Sequence, residues 1–194
     1  EWVQTVPAVS TELTGQDTLK LDVAEGGGTE SFAFGKDMVV GTLQAKADVA
    51  LKDSDIVFAG YGVDAPEAQW NDFDGIDVKG KTLVVLVNDP GWNGNDPKLF
   101  KGREMTYYGR WTYKYEEAAR KGAAAVFIVH QTEPAAYGWN VVQSGWSTPR
   151  LDLPESEDPS PRLPVAGWLT HEAAQRLFAK AGKNFDELAK QADV

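Results

Sequence analysis

Cysteine is absent from this 194-residue chain, and histidine occurs only twice. Without thiols there is no disulfide framework, no thiolate metal site and no cysteine nucleophile. Zinc hydrolysis needs several His, Asp and Glu ligands at close range. His130 and His171 form neither an H-E-x-x-H pair nor an H-x-D spacing. Long apolar runs are missing too: "AAAVFIV" at 123–129 falls far short of the ~20 residues that span a bilayer. Positive charge is in the minority, with nineteen Lys and Arg against twenty-nine Asp and Glu, a net −10. The basic residues are scattered, so neither a nucleic-acid surface nor attachment to an anionic membrane is expected.

What is present is enough apolar sequence for one sizeable core, which is the expectation at this length. The first sixty residues read as strands. Leu19, Leu21 and Val23 alternate with polar neighbours in "TLKLDV", as do Ala45, Ala47, Val49 and Leu51 in "AKADVALK". "EGGGTE" is a turn and lacks the spacing of a phosphate loop. "SDIVFAGYGV" (54–63) is more continuously apolar and reads as a central strand, and "TLVVLVN" (82–88) as a strand covered on both faces.

A Gly-, Pro- and Asn-rich loop, 89–109, follows, and loops of that length tend to be functional. Tyr108, Trp111, Tyr115, Ala118 and Gly122 then fall at +3 and +4 steps, one face of a helix. Glu116, Glu117, Arg120 and Lys121 occupy its other faces as solvated charges. Gly122 caps the helix and "AAAVFIV" runs on as a buried strand, completing a βαβ crossover. Beyond it, "RLDLPESEDPSPRLP" reads as an irregular connection and "LPVAGWL" as a short strand. Thr170 and Asn184 are N-cap residues for two terminal helices.

Chemistry-bearing patterns are few. "VQSGWS" lacks the G-x-S-x-G elbow, and nothing selects a base for Ser144 or Ser147. Asp72, Asp74 and Asp77 are close in sequence, but position six of an EF-hand register is Asp77 and position twelve is Leu83, so they read as solvated turn aspartates. His130 reads as a strand-end residue with a hydrogen-bond partner, and His171 as an exposed helical one. Aromatics in loop-like context stand out: Trp70, Trp92, Trp139 and Trp146. Partner contacts are placed at Trp92, Phe100, Trp139 and Trp146, with Trp92 foremost.

Two stretches together carry a family resemblance. "VKGKTLVVLV" followed by K-x-x-x-A-x-x-x-G-A-x-A-V, through Val78, Gly80, Lys81, Lys114, Ala118, Gly122, Ala123, Ala125 and Val126, resembles the protease-associated (PA) domain. The likeness is to the form inserted in bacterial secreted di-zinc aminopeptidases. Its recognisable core covers about 54–150, with 1–53 as flanking strands and 164–194 as a strand and helices leading toward a peptidase domain. The resemblance implies an α+β, mostly β, open barrel or sandwich with a βαβ crossover and peripheral helices. It implies a non-catalytic accessory domain that covers a peptidase cleft and modulates substrate access. The partners would be a catalytic domain in cis and peptide or protein substrates. Zinc is then expected in that absent domain, no cofactor or catalytic residue in this chain, and an extracytoplasmic location. The loop 89–109 departs from the family in being longer. A stand-alone protein- or carbohydrate-binding module using the loop aromatics is the alternative.

Overall fold

The computed structural model describes residues 2–25, 28–94 and 96–193. The N-terminal part supplies β1 (Val9–Thr11), the hairpin β2 (Lys20–Glu25) and β3 (Gly28–Ala33), and β4 (Met38–Gly41). Next come β5 (Ile56–Phe58), the small ladder β6 (Asp64–Ala65) and β7 (Trp70–Asn71), β8 (Thr82–Leu86), and α1 (Gly91–Gly94). The middle runs through α2 (Trp111–Arg120), β9 (Ala125–His130), α3 (Thr132–Ala135), α4 (Trp139–Trp146) and β10 (Arg150–Asp152). The chain closes with β11 (Val165–Thr170), α5 (His171–Lys180) and α6 (Phe185–Gln191).

Five strands form one mixed sheet in the order β4-β11-β9-β8-β5. β5, β8, β9 and β11 are parallel, and β4 runs antiparallel to β11 along one edge. The crossover reads as expected: β8 leads through α2 to β9, with Leu83 beside Val126 and Val85 beside Ile128. Side chains alternate across the sheet. Leu83, Val85, Val126, Ile128 and Trp168 face a core closed by Tyr115 and Ala118 of α2 and by Val142 and Trp146 of α4. Val84, Leu86, Phe127, Val129 and Leu169 face the other core, closed by Leu177 and Phe178 of α5 and Phe185 of α6. Each such side chain contributes about 1.5–3 kcal/mol on burial. The architecture is therefore α+β with helices on both faces of an open sheet. Among the described residues the strands do not close a barrel, because β4 and β5 each have a sheet neighbour on one side alone.

The capping expectations hold. Thr170 accepts from the Ala173 amide and Asn184 from those of Asp186 and Glu187, contacts of about 1 kcal/mol each. Gly122 turns at φ 78, and its carbonyl accepts from Gly80 at 2.9 Å, tying helix end to strand start.

Several expectations are corrected. Residues 45–52 form no strand. Val49 and Leu51 are partly buried against the core, so the alternation is that of a chain lying on a surface without a ladder partner. The apolar stretch 54–63 holds an edge strand of three residues, not a central one. Arg150–Asp152, within the supposed irregular connection, pairs with Val9–Thr11. Asp72 is not a solvated turn residue: its carboxylate accepts from the Tyr61 and Val63 amides at 3.1 and 2.9 Å, and burial raises its pKa. Glu117 is 9% exposed and holds Arg120 at 2.6 Å and Lys121 at 3.3 Å. The turn expected at 25–30 falls partly outside the described residues, while Glu25 and Gly28 are paired across it.

Candidate functional site

The four aromatics singled out in the sequence do not share a surface. Trp92 sits in α1, half-buried, with the Arg103 guanidinium 5.3 Å from its ring centroid. Phe100 is 8% exposed and wedged edge-on between Trp70 and Tyr108, at 6.0 and 5.6 Å. Trp139 and Trp146 lie on α4, not in a loop. The Trp139 indole donates to the Gly35 carbonyl at 2.8 Å, and Trp146, 9% exposed, packs on Tyr115. Phe100 and Trp146 are thus buried among other aromatic rings.

The loop 89–109 is fastened from inside. Asp89 is fully buried and accepts from the amide and hydroxyl of Thr106 at 3.0 and 2.8 Å. Its other oxygen, Oδ1, has no hydrogen-bond partner among the described residues, and burial raises its pKa. Gly91 lies so close to the Leu99 carbonyl that a β-carbon would collide with it. Lys114 is 2% exposed, and its Nζ donates to the Asn88 carbonyl at 2.7 Å and lies 5.8 Å from the Tyr61 ring centroid. Burial brings its pKa down to about 7, although Asp72 and Asp89 pull the other way. Such a poised lysine is a functional candidate in principle. Here it is buried and bonded to backbone, which makes it a structural tie. The helical pattern hid it, because Lys114 sits next to Tyr115 and has the look of a solvated charge.

The histidines stay apart. His130 ends β9 with Nε2 2.9 Å from the Tyr137 carbonyl oxygen, and burial lowers its pKa. His171 is half-buried rather than exposed, with Nε2 3.0 Å from Asp186. No group of three or more His, Cys, Asp or Glu stands together as a metal site among the described residues. Ser144 is exposed on α4, and the Ser147 hydroxyl donates to the Gln143 carbonyl.

A hollow lies elsewhere. A cleft of about 790 Å³ runs between the N-terminal arm carrying β1, the start of β2, and the β4 edge of the sheet. Trp146 and Arg150 form part of its wall. The Arg150 guanidinium stacks 4.3 Å from the Trp146 ring centroid and 6.0 Å from that of Trp111. Its Nη1 is buried without a hydrogen-bond partner among the described residues. Burial lowers the Arg150 pKa, with Tyr115 and Asp152 opposing; the ordinary arginine value is high enough to leave it cationic at neutral pH. No sequence motif marked this residue.

No family model matches the chain, and the curated proteins hold no match to it. Among solved structures, an aminopeptidase from Aneurinibacillus sp. strain AM-1 is similar at a TM-score of 0.38 and 18% identity. The similarity covers 91% of this chain and 30% of that enzyme. A likeness of that degree carries no weight for function. No helix among the described residues is long and apolar enough to cross a membrane.

Proposed function

We propose that this chain is a non-catalytic accessory domain of PA kind, belonging to a secreted zinc aminopeptidase and modulating access of peptides to its cleft. The observation that carries the reading is how the resemblance motifs are used. Gly80, Lys81 and Gly122 lock the crossover through backbone bonds, with Ala124 donating to the Lys81 carbonyl at 2.9 Å. Lys114 is buried, and Ala118, Ala125 and Val126 are packed in the core. A motif made of scaffold positions fits a domain defined by its fold rather than by a reacting group. On this reading the zinc and its ligands belong to a catalytic domain in cis, and the protein works outside the cytoplasm.

The isolated chain, supplied with zinc, is expected to hydrolyse leucine p-nitroanilide no faster than buffer. Turnover that disappears on adding a chelator would overturn the proposal. In the intact enzyme that the reading implies, Trp92→Ala is expected to change KM for long peptides more than for dipeptides. Point substitution is the right tool there, because the loop bearing Trp92 is anchored by buried Asp89 and Phe100. Deleting it would damage the fold.

A further inference from the structure

We infer that the cleft beneath the N-terminal arm is a binding site for a peptide carboxylate, with Arg150 as its anchor. The arm, the sheet and Arg150 build this site whether or not the chain belongs to a peptidase. A guanidinium withdrawn from water is ordinarily paired with a carboxylate and has its donors satisfied. In this chain acids outnumber bases, twenty-nine to nineteen, so partners are plentiful. Arg103, Arg120, Arg162 and Arg176 each hold a carboxylate at 2.6 to 3.5 Å, and Arg110 is exposed to solvent. Arg150 holds none within 4.0 Å among the described residues.

The nearest carboxylate along its own strand is Asp152, two residues on. That side chain reaches Arg162 instead, at 3.8 Å, and Arg162 has Asp158 as well. The Arg150 guanidinium is meanwhile held against Trp146 at 4.3 Å. A flat cation fixed on an indole, with no carboxylate beside it among the described residues, is prepared for an incoming one.

The cleft suits a peptide rather than a small inorganic anion. Its volume of about 790 Å³ has room for several residues. It is lined by both charges, with Lys20, Lys46 and Arg150 against Glu12, Asp22 and Asp48. It is thus close to neutral in a chain of net −10, which removes the repulsion an acid would meet elsewhere on the surface. Thr11, the ladder partner of Arg150, also lines it. Val40 and Gly41 of β4 also line it, and β4 is an outer strand with β11 as its sheet neighbour. An edge strand beside a groove is a surface on which an extended peptide can lie.

The carboxylate can belong to a peptide C-terminus or to an acidic side chain, and three probes separate these sources. They are N-acetyl-trialanine, its C-terminal amide, and the N-acetyl-alanyl-glutamyl-alanine amide, titrated into the chain with tryptophan fluorescence and calorimetry as readouts. At least one carboxylate-bearing peptide is expected to bind roughly tenfold more tightly than the trialanine amide. Which of the two does so identifies the source. Arg150→Gln is expected to abolish that difference, and Arg150→Lys to keep part of it. In the unsubstituted chain the Arg150 Nε–H resonance should shift on adding the acid and stay in place with the amide. Three peptides that bind alike, or none that binds, would overturn the inference, as would an acid preference that survives in Arg150→Gln.

Discussion

Replacing Lys114 by methionine is expected to remove most of a rise in stability that the unsubstituted chain shows between pH 7 and about pH 9. Folded, Lys114 releases its proton near pH 7, because burial disfavours the ammonium; its ordinary value is 10.5. Between those values the unfolded chain carries the extra proton, so stability increases as pH rises through the window. Each pH unit corresponds to about 1.4 kcal/mol, so a rise of roughly 2–3 kcal/mol is expected by pH 9. Above about pH 10 the curve turns down. Tyr61, Tyr113 and Tyr115 have their pKa values raised by burial, so the unfolded chain loses those protons first and stability falls with pH.

Methionine is unbranched like lysine, one atom shorter, and donates nothing. The Asn88 carbonyl, which accepts from Nζ at 2.7 Å, then lacks that donor, a loss of about 1–3 kcal/mol where the lysine is neutral. Urea unfolding of both chains at pH 7, 8 and 9 reads the two effects separately. A slope that persists unchanged in Lys114→Met would mean that another group carries the titration.

Gly167→Ala is expected to destabilise the fold by roughly 3 kcal/mol or more, or to prevent folding. Gly167 lies in β11, between β4 and β9. A β-carbon there would run into the Val39 carbonyl oxygen and come within 2.8 Å of the Phe127 ring. The first obstacle is backbone of a paired strand and cannot swing aside, so the sheet itself has to move. The Tyr115 hydroxyl also donates to the Gly167 carbonyl at 2.8 Å, and any shift of β11 strains that bond between sheet and helix. Gly145→Ala supplies the contrast. It lies on α4 with nothing within 4 Å of its β-carbon position, so helix propensity predicts a gain of up to about 1 kcal/mol. Thermal unfolding that ranks the two substitutions in the opposite order would contradict the strand register.

These two positions mark the boundary of what the sequence made legible. The crossover was readable because β8 and β9 are short apolar runs joined by a helix with a clean 3.6-residue stripe and a glycine stop. Caps at Thr170 and Asn184 were readable because they act within a few residues of themselves. Lys114 and Glu117 were not, since a helical wheel places charges outward and cannot see the distant backbone that Lys114 bonds, the Asn88 carbonyl. Period-two alternation at 45–52 misled for a related reason: it reports one buried face and says nothing about a hydrogen-bonded neighbour. The arm strands β1 and β10 come from segments about 140 residues apart, and their pairing leaves no local trace.

The candidate aromatics show the same limit. Trp139 and Trp146 looked like loop residues because glycine and serine interrupt α4, and their indoles turned inward on contacts distant in sequence. Arg150 carried no motif because its isolation is relational. It depends on Asp152 reaching Arg162, and on Trp146 offering a face rather than an edge.

The most direct test of the accessory-domain account is the zinc bound per chain after equilibration with micromolar zinc and removal of the excess. The account predicts no stoichiometric zinc, with the metal held by a catalytic domain in cis. One or two tightly held zinc ions per chain would contradict it and place a hydrolytic centre among His130, His171 and the acidic residues around them.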